Sequence, residues 1–479
     1  MIEKPVKDRE LFQLFSRVVE DGIVKVSEVL TKKYYPLRYS NWPEISSVKM
    51  ANGLKSISLT SYGENRPIVY SVLFSKFGKE EADVDINSIN GYKELEVYMY
   101  EQKRITEYLT PEQVDDWDPI PYKCKEITIS LIERYLTLHE KEAFSLEKFE
   151  EIYKRIEILL YDKELFLDIC IPILFTTFEN DEYFLGDNAA IVKIGDLLNK
   201  SRMYSTNSYH TPIPSGILET TTHALILSGY SISNESYWRM KGTFGNSKSY
   251  PLEKINNFFN CLRIGSGFIS GYAQLLACPV DWTTTYNADL MPIFGTTIRS
   301  YPPSVNPTLK YSNLPVVSEE NLKKIGNMFN KLQQQESNKI LLANKRMHQC
   351  YLREDEEDSI LDATIAMEAL FSDGEKGDIT YKLALRMSAL LKLNNNLDMS
   401  PSEVFKSVKY IYGFRSSVVH GSSKSSKKRV VELSEGKAIP TTELAIKFLE
   451  LAIEVFLEKP EYLITGRIEE ELILKEGLQ

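Results

Sequence analysis

From about residue 318 onward, apolar residues recur at three- and four-residue spacing in one segment after another, and this period commits the C-terminal third of the chain to helices. Residues 318–335 open at Ser318 with Glu319 and Glu320 behind it, the polarity that favours a helix start. Helices follow at 338–353, at 356–372 (Ile360, Leu361, Ile365, Leu370, Phe371) and at 379–393 (Leu383, Leu390, Leu391). Asp373-Gly374, Gly377-Asp378 and Asn394-Asn-Asn396 mark breaks. Ser402 is expected to cap the next helix, which carries Val404, Phe405, Val408, Ile411, Tyr412 and Val419 and stops at Gly421. The last runs over 442–458 with Leu444, Phe448, Leu451, Val455 and Phe456. Short connections between amphipathic helices imply an antiparallel bundle.

The residues before this bundle have a different texture. Gly295 to Pro315 is rich in proline and serine (Tyr301-Pro-Pro-Ser304, Asn306-Pro307), which makes it the best linker candidate. Upstream, a helix is expected over 8–30, broken by Tyr34-Tyr-Pro36. Lys55–Thr60, Ile68–Leu73 and Glu94–Tyr100 have the β-branched and aromatic bias or the alternation of strands. Asp115–Pro121 reads as a loop. Ser145 caps a helix over 145–162 with Phe149, Ile152, Ile156 and Leu159 on one face, and Ile171–Phe178 reads as a buried strand. Residues 200–250 read as loops and short strands, and 252–264 as a helix ended by Ser266–Gly271. The expected class is α+β, a mixed α/β N-terminal region followed by an all-α bundle. The expected divisions are 1–165, 166–317 (a candidate sensor or regulatory region), 318–460 and a C-terminal tail, 461–479.

A net charge of −10 and a pI near 5.4 argue against a protein that tracks nucleic acid over much of its surface, so any such contact is local. Cys124, Cys170, Cys261, Cys278 and Cys350 are scattered with no C-x-x-C pair, which speaks against a disulfide framework or a thiolate zinc site. The start MIEKPVKDRELF has no apolar core of a signal peptide, and the apolar run Phe166–Phe178 contains Asp168 and is too short to span a bilayer. A cytoplasmic protein without membrane contact is the expectation, with no cofactor and no metal.

The segment that carries chemistry is Arg415-Ser-Ser-Val-Val-His420-Gly421. RNA cleavage by its own 2′-hydroxyl needs a base, an acid and positive charge at the phosphoryl centre. Histidine, with a free pKa of about 6.5, fits the first two roles. Arginine, permanently charged and planar, fits the third. Five helical steps leave the two side chains about 140° apart on an ideal helix, so they converge only where the helix frays at Gly421 or where two copies meet. A histidine in the last turn also feels the negative helix end, which favours its protonated form. The spacing recurs by chance: Arg134-Tyr-Leu-Thr-Leu-His139 has it too, and reads as a helix-surface pair.

Context adds specificity. Glu357-Asp-Ser-Ile-Leu-Asp-Ala-Thr-Ile-Ala-Met-Glu-Ala-Leu-Phe371, Tyr381-Lys-Leu-Ala-Leu-Arg-Met-Ser-Ala-Leu-Leu391 and Tyr412-Gly-Phe-Arg-Ser-Ser-Val-Val-His-Gly421 follow in order. Together this region resembles the HEPN superfamily, and within it the Apea-like branch. The resemblance implies a metal-independent endoribonuclease that dimerises so that two Arg–His pairs form one cleft. Many members carry Asn, Asp or His directly after the Arg; here Ser416 stands there, as in the Apea-like branch. It further implies a toxin effector in anti-phage defence, with RNA as substrate, a homodimer, and a phage-derived trigger or regulatory partner acting through the N-terminal region. The alternative is a non-catalytic HEPN module that binds RNA or a protein.

Arg415 and His420 are thus the expected catalytic pair. Expected substrate contacts are Ser416, Arg386, and Lys424, Lys427, Lys428 and Arg429 of the basic run Ser422–Arg429. Arg386 reads equally as a salt bridge to Glu368 or Asp362, and the basic run as a solvated loop. Glu368 and Asp362 are the expected supports, with Glu368 either ion-paired or orienting a catalytic group. His348 reads as a core or surface residue. His210 and His223 lack the neighbours of a metal site.

Overall fold

A computed structural model describes residues 5–475 apart from 33–36, 41, 50–53, 59–65, 76–80, 113–116, 140–141, 207–212, 309–311, 373, 375–377, 395–396, 422–427 and 435–436. The break expected at Tyr34–Pro36, the basic side chains Lys424 and Lys427, and His210 fall outside the described residues. With 58% helix and 16% strand the chain is α+β.

The first segment is mostly helical. Helix α1 (Arg9–Lys32) buries Leu11, Phe15, Val18 and Val19. A hairpin follows, β1 (Glu44–Lys49) against β2 (Lys55–Ser58). Two stretches expected as strands are instead helical. Tyr70–Phe74 is a 3₁₀ turn that buries Tyr70, Leu73 and Phe74. Tyr92–Glu101 is helix α2: Tyr92, Leu95 and Met99 go inward while Val97 and Tyr100 stay more than half exposed. The alternation of Leu95, Val97 and Met99 suggested a strand, but burial at steps of three and four decides in favour of the helix. Helix α3 (Lys103–Leu109) comes next, then α4 (Pro119–His139), which starts inside the expected 115–121 loop with proline in its first turn, where no N–H is lost. Helix α5 (Leu146–Tyr161) has the expected Ser145 cap on the Lys148 N–H.

The sheet begins with β3 (Glu164–Pro172). The buried strand therefore lies N-terminal to the expected 171–178, because Pro172 ends the ladder and Phe175 turns at φ 68° before the short β4 (Thr177–Phe178). Strands β5 (Glu182–Gly186) and β6 (Ala189–Lys193) precede α6 (Asp196–Thr206) and the single turn α7 (Ser215–Leu218). The Ser- and Thr-rich stretch expected as loops and short strands contains the eleven-residue strand β7 (His223–Ser233) and helix α8 (Tyr237–Gly245). Beyond Leu227 the outer residues of β7 alternate toward solvent, which accounts for its polar composition. Helix α9 (Leu252–Ser266), β8 (Tyr272–Pro279) and β9 (Phe294–Ser300) complete the region. The six strands pair antiparallel in the order β5-β6-β7-β3-β8-β9, with Ile169 facing Leu227 on one side and Ala277 on the other. Leu165, Leu167, Ile169 and Ile171 point to the main core, each contributing about 1.5–3 kcal/mol by burial. Cys170 points to a smaller cluster with Leu276 and Cys278 on the other face.

After β10 (Val316–Val317), which pairs with β4, helix α10 (Glu319–Gln333) starts at the Ser318 cap and packs on α9 and β5. Helices α11 (Asn338–Leu352), α12 (Glu356–Phe371), α13 (Ile379–Leu390) and α14 (Pro401–Val419) follow, then a short hairpin of β11 (Val430–Glu432) and β12 (Ala438–Pro440), then α15 (Thr441–Glu458). Helix α12 touches α11, α13, α14 and α15. The cap of α14 is Ser400, not Ser402. The Ser400 hydroxyl accepts from the Glu403 N–H at 3.3 Å and Glu403 Oε2 accepts from the Ser400 N–H at 2.8 Å, with Pro401 at the first helical position. Residues 460–474 fold back onto α13 and bury Ile468 and Leu472. One contiguous apolar core runs from Leu11 to Leu472 through sheet and helices alike.

Candidate functional site

Val404, Val408, Ile411 and Phe414 hold α14 in the core, and its last turn emerges from the packing with Arg415, Ser416 and His420. Helical geometry persists through Val419. His420 is the C-cap, its N–H bonded to the Ser416 carbonyl at 3.1 Å, and Gly421 takes the left-handed conformation at φ 58°. The helical ladder is thus intact up to His420 and breaks only at Gly421, so fraying does not bring the two residues together within one chain.

Arg415 is 37% exposed. Its Nη2 lies 4.0 Å from Glu368 Oε1, and its guanidinium carbon is 5.9 Å from the centre of the Tyr412 ring. The Tyr412 hydroxyl donates to that same Glu368 oxygen, and burial together with the nearby carboxylate pushes its pKa well up, so it stays protonated. Glu368 is thus paired: a carboxylate on α12 shared by a tyrosine hydroxyl and a guanidinium on α14. At this length and exposure the Glu368–Arg415 contact contributes less than about 1 kcal/mol, so Arg415 is steered rather than locked. His420 is exposed, and its ring makes no hydrogen bond or ion pair with Arg415 or any other of the described residues. Ser416 is exposed beside them.

The other candidates lie elsewhere. Arg386 is 2% exposed; its Nε and Nη2 bond Glu469 Oε1 at 2.9 and 2.7 Å, and Nη1 bonds the Phe371 carbonyl. Its carboxylate partner is therefore neither Glu368 nor Asp362 but a residue of the C-terminal segment. Asp362, at 4% exposure, is gripped by two arginines of the α11 end, Arg346 Nη1 at 2.7 Å and Arg353 Nε at 2.8 Å. Six helical steps place it roughly 120° around α12 from Glu368, so it faces α11 rather than α14. Lys428 donates to the Gly413 carbonyl at 2.9 Å, over a position where any Cβ would meet its ammonium at 2.8 Å. That contact anchors the far end of the basic run to α14 two residues before Arg415. Arg429 is half exposed and 3.4 Å from Glu356.

Among the described residues no group of His, Cys, Asp and Glu side chains could hold a metal ion. Nor is any described helix long and apolar enough to cross a membrane. Two contacts escaped the sequence reading, the Tyr412–Glu368 bond and the Lys428–Gly413 anchor. The signal for both was Tyr412-Gly413 itself: an aromatic hydroxyl and a residue without a Cβ, one turn before the Arg. The arrangement offers an accessible fixed cation, a neighbouring protonated phenol and an exposed imidazole on one helix end. Comparison with protein-family models, with curated proteins and with solved structures yields no match to this chain.

Proposed function

We propose that the chain is a metal-independent endoribonuclease of the HEPN type, with Arg415 and His420 as its catalytic pair. The observation that carries the reading is that both stand accessible at the α14 terminus, His420 exposed and Arg415 partly so, with Arg415 held by a long contact to Glu368 and by the Tyr412 ring. Arg415 supplies charge to the phosphoryl oxygens, and His420 moves the proton at the 2′-oxygen or the leaving 5′-oxygen. Within one chain the two groups are not bonded, so the complete cleft is assigned to a homodimer. The resemblance in α12–α14 extends the reading to a toxin effector in anti-phage defence, with RNA as substrate and a phage-derived trigger.

The alternative, a non-catalytic HEPN module binding RNA or a protein, is favoured by one observation: Arg415 turns toward Glu368, away from any bond to His420. Incubation of the full chain with total RNA in excess EDTA separates the two. The enzyme reading expects cleavage by the wild type and its loss in both Arg415→Ala and His420→Ala; identical behaviour of all three proteins favours the binding module.

A further inference from the structure

The six-stranded sheet packs one face on the main core and leaves part of the other face bare. Leu165, Leu167 and Ile169 of β3, Leu185 of β5 and Ile191 of β6 point to the core, so the residues that alternate with them point outward. Around Cys170 the outer face is covered by Ile194, Leu198, Met291 and Ile293. Away from that cluster the cover is lost: Phe184 on β5 is 69% exposed and Phe166 on β3 is 54% exposed. Between them lie Ala190 of β6 and Ile226 and Ser228 of β7, all half-buried. Three strand spacings of about 4.8 Å separate β5 from β3, so two aromatic walls stand about 14 Å apart across a floor of mostly small side chains. An α-helix, about 10–12 Å wide, is the element that fits such a trough.

The charge on this face has one sign. The outward positions of β3, β5, β6 and β7 include Glu164, Asp168 and Glu182 and no lysine or arginine. Glu164 accepts from the Ser231 hydroxyl at 2.5 Å. The Asp168 and Glu182 side chains have no hydrogen bond or ion pair among the described residues. Asp168 is half-buried, one row from Phe166 and directly opposite Cys278 of β8, and burial raises its pKa. A carboxylate drawn out of water with no donor beside it is held at a cost that an incoming cation relieves.

We propose that this trough is a docking surface for a basic amphipathic helix of a partner protein, its apolar side chains packed between Phe184 and Phe166 and a lysine or arginine set on Asp168. The carboxylates repel phosphate-bearing partners, nucleic acid and anionic lipid included. The surface is separate from Arg415 and His420, and its test needs no RNA. A fluorescein-labelled synthetic peptide of about 18 residues, with leucine on one helical face and lysine on the other, is titrated with the full chain and followed by anisotropy. Saturable binding is expected, and none for the same peptide with glutamate in place of lysine. Asp168→Asn, which keeps shape without charge, is expected to weaken binding about tenfold, the loss of one charge-assisted hydrogen bond. Phe184→Ser, at an exposed position of the edge strand, is expected to weaken it by about the same factor, whether or not the Asp168 variant folds. Glu10→Gln, which neutralises an exposed carboxylate on α1, is expected to leave the affinity unchanged, so that docking is told apart from general attraction to an acidic chain. No saturation, equal binding of the glutamate peptide, a loss with Glu10→Gln equal to that with Asp168→Asn, or an affinity that both Asp168→Asn and Phe184→Ser leave untouched overturns the proposal. So does a dimer that Phe184→Ser turns into a monomer in light scattering, which assigns the trough to a second copy instead.

Discussion

Two arginine–histidine pairs occupy opposite settings in this molecule. Arg263 on α9 and His348 on α11 lie 3.4 Å apart in the interior, with Asn260 and Ser300 closing around the imidazole. Burial, and then the Arg263 cation, lower the His348 pKa to about 3, so the ring is neutral and serves as a fixed hydrogen-bonding spacer. Arg415, half-buried, and His420, exposed, stand at a helix end unbonded to each other, one steered by Glu368 and the other free of side-chain bonds among the described residues. Proximity without access gives architecture. Access without rigid placement suits the proposed role, in which substrate or a second copy completes the site. Arg134 and His139, with the same sequence spacing as Arg415 and His420, show a third outcome: Arg134 is spent on the carbonyls of Ala288 and Leu290.

The contrast can be broken by exchanging which pair is damaged. His420→Ala is expected to lower RNA cleavage by about 10²–10⁴-fold, the range for loss of a general acid or base, while leaving the melting transition in place. His348→Gln is expected to do the reverse, and parallel kinetics and melting curves check both. Next in size is Asp362→Ala. It leaves Arg346 and Arg353, each more than a third exposed, without their shared carboxylate and is expected to cost about 1–2 kcal/mol in urea unfolding, because water takes over part of the lost charge-assisted hydrogen bonding.

The pH dependence sharpens the interior half of the comparison. An unfolded histidine takes up a proton below its ordinary 6.5, whereas folded His348 does not until about 3. Stability from this group is therefore whole above pH 6.5 and falls as pH drops toward 3, by at most about tenfold in the unfolding constant per unit. A His348→Gln variant with a flatter acid limb in denaturant titrations agrees with this; an unchanged limb does not. Ser400→Ala, which removes half of the α14 capping box, is expected to cost about 1 kcal/mol. The smallest effect on stability is Arg415→Ala, below about 1 kcal/mol, since its one ion pair among the described residues is long and about a third exposed.

The helical third was legible because its apolar residues repeat with one period and its first start carries Ser318; the caps at Asp355, Asp378 and Ser400 went unread, Ser402 being expected for α14. The N-terminal region was less so. Tyr92–Glu101 alternates like a strand over its first residues, and only the partners of Leu95 and Met99 turn that pattern into a helix. Strand β7 hid behind a polar outer face. At the candidate site, the exposed helix end followed from the Gly421 stop. The partner of Arg386 did not, because Glu469 lies 83 residues further along and local spacing carries no trace of it.

In the proposed reaction Arg415 and His420 cut RNA through its own 2′-hydroxyl. Mass spectrometry of the RNA ends produced by the full chain in excess EDTA tests it most directly. The account predicts fragments ending in a cyclic phosphate and beginning with a 5′-hydroxyl, absent when His420 is replaced by alanine. Fragments beginning with a 5′-phosphate, or cyclic-phosphate ends that persist in the His420→Ala protein, would contradict it.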